Sequence, residues 1–327
     1  MQPNGSDVLE AHQLARPLGS NQPWPSRDAP GRTPLIRLGR VSATLPAGVE
    51  MWGKAEFLNP SGSVKDRAAY GIVRAAFAEG LLGRGQTLVD ASSGNTAVAY
   101  AALGARHGFP VELYVPRNAN PNRLASIRAF GAMVVLTDPL EGTDGAQRMA
   151  RRRAEERPDS TFYADQYNNP ENPRAHYTTT GPEIWADTQG RITHLVAGVG
   201  TGGTISGTGR FLKEQDGRIK IVGVEPAAPL HGIEGLKHLP SAVRPGAYDD
   251  RFVDQTLRVE TEDARRMVER LVRDESLTLG TSSGAAVVAA LGVGASLRAG
   301  VMVVVLPDSD QQVGSPSGLA REPTAGD

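Results

Sequence analysis

Cysteine is absent from all 327 residues, so disulfides, thiolate metal sites and cysteine nucleophiles are excluded. Histidine is scarce as well. His12, His107, His176, His194, His231 and His238 show neither HxxxH nor HExxH spacing, and no metal is expected. No apolar run approaches the roughly 18 residues that a membrane-spanning helix needs, and no basic-then-apolar leader opens the chain. We therefore expect a cytoplasmic protein with no membrane partner. Neither sign of charge is in excess: 35 Lys and Arg stand against 36 Asp and Glu, which argues against nucleic acid as a partner. Residues 1–31 and 314–327 lack sustained periodicity and are rich in turn-forming residues, so both read as flexible, an arm and a tail.

What remains is ordinary globular composition, 39% apolar and 22% charged. Its length suits two domains or one large α/β unit. Short apolar runs alternate with helical patterns. QTLVD (86–90), VELYV (111–115), MVVLT (133–137), THLVAGV (193–199), KIVGVE (220–225) and VMVVVLP (301–307) read as strands. Helical spacing follows at 65–79, 95–108, 121–130, 143–157, 204–215, 261–275 and 285–292. Strands that are continuous Val/Leu runs are buried on both faces, which means parallel sheets covered by helices. The fold class is α/β.

Ligands in such sheets bind where strand ends run into helix N-termini. Three segments rich in Gly, Ser and Thr read as such junctions: ASSGNTA (91–97), GVGTGGT (198–204) and GTSSGAA (280–286). Each offers backbone N–H groups and hydroxyls to an anion. A fourth feature is Lys65 in NPSGSVKDR (59–67), where Ser61 or Ser63 can cap the helix that follows. A cation in a first turn sits at the positive end of the helix dipole, an unfavourable place unless it has work to do. Together these features point to one phosphate- or carboxylate-bearing ligand. Gly198, Gly200 and Gly203 also satisfy GxGxxG, with Glu225 closing the next strand, so an NAD-binding protein is a remote alternative. That alternative leaves Lys65, Asn95 and Ser282 without a role.

In order along the chain, NPSGSVKDR, SSGNT, DQYNNPEN, TTGPEI, GTGGTISGTGRFLK, GVEP and SSGAA resemble the cysteine synthase and cystathionine β-synthase group of pyridoxal-phosphate enzymes, of fold type II. The resemblance runs from TPLIRL (33–38) to VLPDS (305–309). It implies two three-layer αβα domains with mostly parallel sheets, and the cofactor pyridoxal 5′-phosphate. It also implies the roles. Lys65 would hold the cofactor and then act as base on the substrate α-carbon. Gly200, Thr201, Gly202, Gly203 and Thr204 would cradle the phosphate, Asn95 would bond the ring's 3′-oxygen, and Ser282 would face the pyridine nitrogen. Ser92, Ser93, Thr96 and Gln166 would bind the α-carboxylate, with Gly232 also contacting substrate. The implied chemistry is β-replacement on O-acetylserine or O-phosphoserine through an aminoacrylate, with sulfide or another thiol as donor, in a homodimer.

By the same resemblance, residues 32–58 and 170–313 form a large cofactor domain. Residues 59–169 form a small mobile domain that carries Lys65. The chain departs from the family pattern at Ser92, usually Thr, at Ala97, usually Gly, and after PDS, where Asp310 replaces a glycine and no aromatic follows. Dehydratases of the same fold type carry His where this chain has Thr96. Condensation with homocysteine, as in cystathionine β-synthase, and a non-catalytic paralogue stay open. Lys237, His238 and Arg244 either favour a phosphate leaving group or are solvated loop charges.

Overall fold

The computed structural model describes residues 29–309 apart from Arg84 and Ser93. The flexible arm expected at 1–31 and the tail expected at 314–327 lie outside the described residues, save Ala29, Pro30 and Gly31. So does Asp310. The chain divides into two compact units, with boundaries at Val64/Lys65 and again at Ala175/His176. The sequence placed both divisions six residues earlier. The turn NPSGSV therefore belongs with the larger unit and Lys65 opens the smaller one.

In the smaller unit, α1 (Lys65–Ala78) leads into a parallel sheet of β3 (Thr87–Ala91), β4 (Val111–Pro116), β5 (Met133–Thr137) and β6 (Thr161–Tyr163), in the order β5-β4-β3-β6. The connections are α2 (Asn95–His107), α3 (Pro121–Ala129) and α4 (Gly142–Glu156). Alternation along each strand decides which layer a residue joins. Leu88 and Leu113 pack with α1, α2 and α3 on one face, while Val89, Ala91 and Tyr114 pack with Ala146 and Ala150 of α4 on the other. Glu112 is buried mid-strand because Arg153 meets it at 3.1 Å and the Tyr114 hydroxyl donates to it at 2.7 Å.

The larger unit holds β1 (Leu35–Arg37), β2 (Gly48–Ala55), β7 (His194–Gly198), β8 (Lys220–Pro226), β9 (Gln255–Val259) and β10 (Ala299–Leu306), in the order β1-β2-β10-β7-β8-β9. Only the β1–β2 pair is antiparallel among the described strands. Val196, Val222 and Val304 face α8 (Thr261–Glu275) and α9 (Thr281–Ala295). Leu195, Ile221 and Val305 face α6 (Thr180–Asp187) and α7 (Gly203–Gln215). Helix α5 (Glu171–Thr178) spans the division.

The α/β class holds, and sequence patterning misses β1, β2, β6, β9, α5 and α6. Strand β2 is hidden by Lys54, which is fully buried yet sits one residue before the strand end. Its ammonium is met by Glu183 at 2.9 Å and Asp187 at 3.2 Å, and donates to the carbonyl of Thr33. A buried charge survives only with such partners.

Candidate active site

Two groups of residues stand out, one in each unit. In the smaller unit Lys65 is the first residue of α1 and is half-buried, followed by the buried Asp66. The helix starts directly after Val64, so neither Ser61 nor Ser63 holds the N-cap position that the sequence assigned them. Helix α2 opens at Asn95 with Gly94 as its cap and no side-chain capping bond. The Ala97 and Val98 N–H groups close the first turn on the Gly94 carbonyl, at 3.0 and 3.4 Å. The Ser92 hydroxyl accepts the Gly94 N–H at 3.2 Å, and the Ser92 N–H donates to the Tyr114 carbonyl at 3.2 Å. Thr96, on the first turn of α2, donates its hydroxyl to Gln166 Oε1 at 2.6 Å across 70 residues of chain. Gln166 Nε2 donates back to the Ala91 carbonyl at 2.9 Å. The structure thus joins Ser92, Thr96 and Gln166 into one polar surface at the carboxyl end of β3. Ser93 lies outside the described residues.

In the larger unit, GVGTGGT turns from β7 into α7. The cap of α7 is Gly202, with φ +83°, and again no side chain caps the helix. A Cβ on Gly202 would lie 2.4 Å from that of Tyr248, and one on Gly200 would lie 2.1 Å from the Gly235 carbonyl oxygen. Both glycines are forced by close backbone approach, not merely tolerated. Helix α9 starts at Thr281, four residues before the sequence placed it, after a loop from α8 and not after a strand. It still reaches the strand ends, because the Gly280 N–H donates to the carbonyl of Asp308, just past β10, at 3.2 Å. Strands β10 and β7 are parallel neighbours, so Ser282 and the glycine loop share one sheet edge. Gly232 is fastened there as well, its N–H donating to the Thr261 hydroxyl at 3.1 Å and its carbonyl accepting from Thr281 at 3.4 Å.

Three supporting residues carry no local signal in the sequence. His176 is buried and bridges two hydroxyls, Thr180 at 2.9 Å from Nδ1 and Thr204 at 3.2 Å from Nε2. Asp308 accepts from the Ser282 hydroxyl at 3.4 Å. Tyr248 covers Gly202. Only the fold brings these distant positions together. Among the loop charges, Arg244 is exposed, paired with Asp250 at 2.8 Å and set 5.2 Å over the Tyr248 ring. His238 bonds Ser241 at 2.7 Å. No metal-binding group of three or more His, Asp or Glu occurs among the described residues, and none of the described helices is long and apolar enough to cross a membrane.

The site's donors fit pyridoxal phosphate. A glycine-capped helix of 13 residues, its Gly203 N–H on the Thr201 hydroxyl at 3.4 Å, turns its positive end and its hydroxyls to the place a phosphate would take. A second glycine-capped helix, α9, presents Ser282 beside them.

Residues 27–308 match the model of the family described as pyridoxal-phosphate dependent enzyme. A cysteine synthase of Aquifex aeolicus is 48% identical over 287 residues, 86% of this chain and 88% of the relative. The crystal structure of a cysteine synthase (OASS) from Entamoeba histolytica has a TM-score of 0.84 at 31% identity, covering 95% of both chains. An O-acetylserine dependent cystathionine β-synthase from Helicobacter pylori gives 0.82 at 32%, covering 86% of this chain and 94% of that one. The chain belongs to the family of pyridoxal-phosphate-dependent enzymes of fold type II. It is an enzyme of the cysteine synthase type and depends on that cofactor.

Proposed function

We propose that the protein makes cysteine by β-replacement, exchanging the acetate of O-acetylserine for sulfide. The observation that carries this reading is the Thr96–Gln166 hydrogen bond beside Ser92, which fixes the loop and leaves the Ser92 hydroxyl and the second Gln166 amide N–H as donors for an α-carboxylate. Pyridoxal phosphate, when bound, supplies stabilisation for negative charge at the substrate α-carbon. Lys65 would hold the cofactor through its amine, and that amine takes the proton from the substrate α-carbon. The β-carbon–oxygen bond then breaks and acetate leaves. Sulfide adds to the β-carbon, and Lys65 returns the proton to the α-carbon. Gly200, Thr201, Gly202, Gly203 and Thr204 would hold the phosphate, Asn95 the ring oxygen, and Ser282 the ring nitrogen. Ser92, Ser93, Thr96 and Gln166 hold the carboxylate, and Gly232 lines the substrate.

Acetate is preferred to phosphate as leaving group because Arg244 and His238 already have partners within their own loop. The same reading makes the larger unit the cofactor domain, the smaller one the mobile substrate domain, and the molecule a cytoplasmic homodimer. Initial rates with sulfide test it. We expect kcat/KM for O-acetylserine to exceed that for O-phosphoserine by at least about tenfold, the worth of one charge-assisted contact. The reverse order would overturn the choice of acetate, and cystathionine formed faster from homocysteine than cysteine from sulfide would overturn the choice of donor.

His176 gives a second test, through the cofactor alone. Replacing it removes the partner that orients the Thr204 hydroxyl. We expect His176→Ala to weaken binding of pyridoxal phosphate to the apo-protein by about tenfold, the usual cost of one buried hydrogen bond. Cofactor titration followed by absorbance checks this, and unchanged affinity would remove Thr204 from the phosphate site.

A further inference from the structure

Asp90 is the last but one residue of β3 and is fully buried. Its two oxygens each accept a backbone N–H, and the Tyr100 hydroxyl also bears on the carboxylate. Oδ1 accepts the N–H of Ala91 at 2.8 Å and Oδ2 accepts the N–H of Gln166 at 3.3 Å. Ala91 leads directly into the 92–96 loop, and its carbonyl accepts from the Gln166 amide. Asp90, Ala91, Gln166 and Thr96 therefore form a continuous hydrogen-bonded chain that ends on the Thr96 hydroxyl. The Gln166 carbonyl is tied in turn to Asn172 Nδ2 at 2.7 Å.

Among the described residues, no cation offsets the charge at hydrogen-bond range. Helix α2 presents the Tyr100 hydroxyl to Asp90, and β6 presents the Tyr163 hydroxyl, both buried. The loop after β6 presents Asp165, which brings like charge, and the half-buried Tyr167. On α4, Arg151 is mostly exposed and turned to Asp165 at 3.7 Å, and Asp144 acts on Tyr167. On β4, the Tyr114 hydroxyl is committed to Glu112.

We infer that Asp90 is a positioning residue for the substrate α-carboxylate: its ionised form draws the Ala91 and Gln166 N–H groups onto one carboxylate and so fixes the 92–96 loop against the Gln166 amide. This rests on the carboxylate-binding role given above to Ser92, Thr96 and Gln166. Burial pushes the Asp90 carboxyl up to about 7. Protonation puts a hydrogen on one oxygen, which then no longer serves its N–H, and the chain slackens. Substrate affinity should rise with pH as the carboxylate ionises.

Asp90→Asn removes the charge at nearly constant shape and sets an amide NH2 against one of the two N–H groups. For the holoenzyme with O-acetylserine, we expect the variant-to-wild-type KM ratio to climb from about 1 near pH 6 to about tenfold near pH 8, with kcat within about twofold. Taking the ratio cancels titration of the substrate itself. Asp90→Glu keeps a titrating carboxylate and should keep a pH-dependent KM. A KM ratio that does not change with pH, or a loss confined to kcat, would overturn the inference. Should neither variant fold, a wild-type KM that does not fall between pH 6 and pH 8 would overturn it. Thr96→Ala separates the underlying reading: an unchanged KM in that variant removes the carboxylate site and the inference with it. A raised KM beside a flat Asp90→Asn ratio removes only the role of Asp90.

Discussion

Lys65→Ala abolishes turnover, by a factor of about a thousand or more, because one side chain supplies both the covalent anchor and the proton transfer. Five lysines occur in the chain, and the structure separates them. Lys54 is the most buried, but Glu183 and Asp187 hold its side chain at 2.9 and 3.2 Å, which makes it a structural lysine. Lys213 and Lys220 share Asp254 at 2.8 and 3.5 Å. Lys237 lies in the loop after β8, its N–H donating to the Val199 carbonyl. Lys65 alone opens a helix, where the first-turn N–H groups favour an uncharged amine over a cation. Borohydride reduction followed by intact-mass measurement checks the anchor. The wild-type chain should gain the mass of the reduced cofactor and the variant should not. A variant that still gains it, or that turns over at the wild-type rate, would move the anchor to another lysine.

How much of this is legible in the sequence depends on whether a signal is local. Lys65, the 92–96 loop and the glycine loop sit within short segments whose composition and helix spacing reveal them. The strands of both sheets that are uninterrupted Val/Leu runs are equally plain. Strand β2 is not, because Lys54 is buried there only by carboxylates from α6, more than 120 residues away. Asp90 looks like the polar end of a strand until Gln166 arrives from beyond β6. His176 shows nothing in its own segment, since its meaning is the Thr204 hydroxyl of another helix. Ser61 and Ser63 are good capping residues in the wrong place: the chain does not turn helical until Lys65. What sequence patterns miss is therefore the second layer, the groups that touch the candidate site residues from distant parts of the chain.

Gly200→Ala tests how the 232–235 loop packs against the glycine turn of the larger unit. The added methyl would stand 2.1 Å from the Gly235 carbonyl oxygen, a backbone atom that no rotamer change can move. Gly235 itself has φ +84°, so its peptide is already committed to a conformation that few residues adopt. Relief must come from shifting the 199–202 turn or the 232–235 loop, at a cost of about 1–3 kcal/mol, as for overpacked cores. Either shift reaches the site. The turn delivers Gly203 and Thr204 to the first turn of α7, and the loop is fastened through Gly232 to Thr281 at the start of α9. We expect affinity for pyridoxal phosphate to fall about a hundredfold, the equivalent of the upper part of that cost, with a lowered melting temperature in the holoenzyme. Adding excess cofactor should restore much of the turnover, because Lys65 and the carboxylate loop belong to the other unit and keep their own geometry. A variant with wild-type cofactor affinity would mean that the turn gives way without disturbing the helix start. A variant rescued by no concentration of cofactor would mean that the 232–235 loop serves the substrate as well as the phosphate.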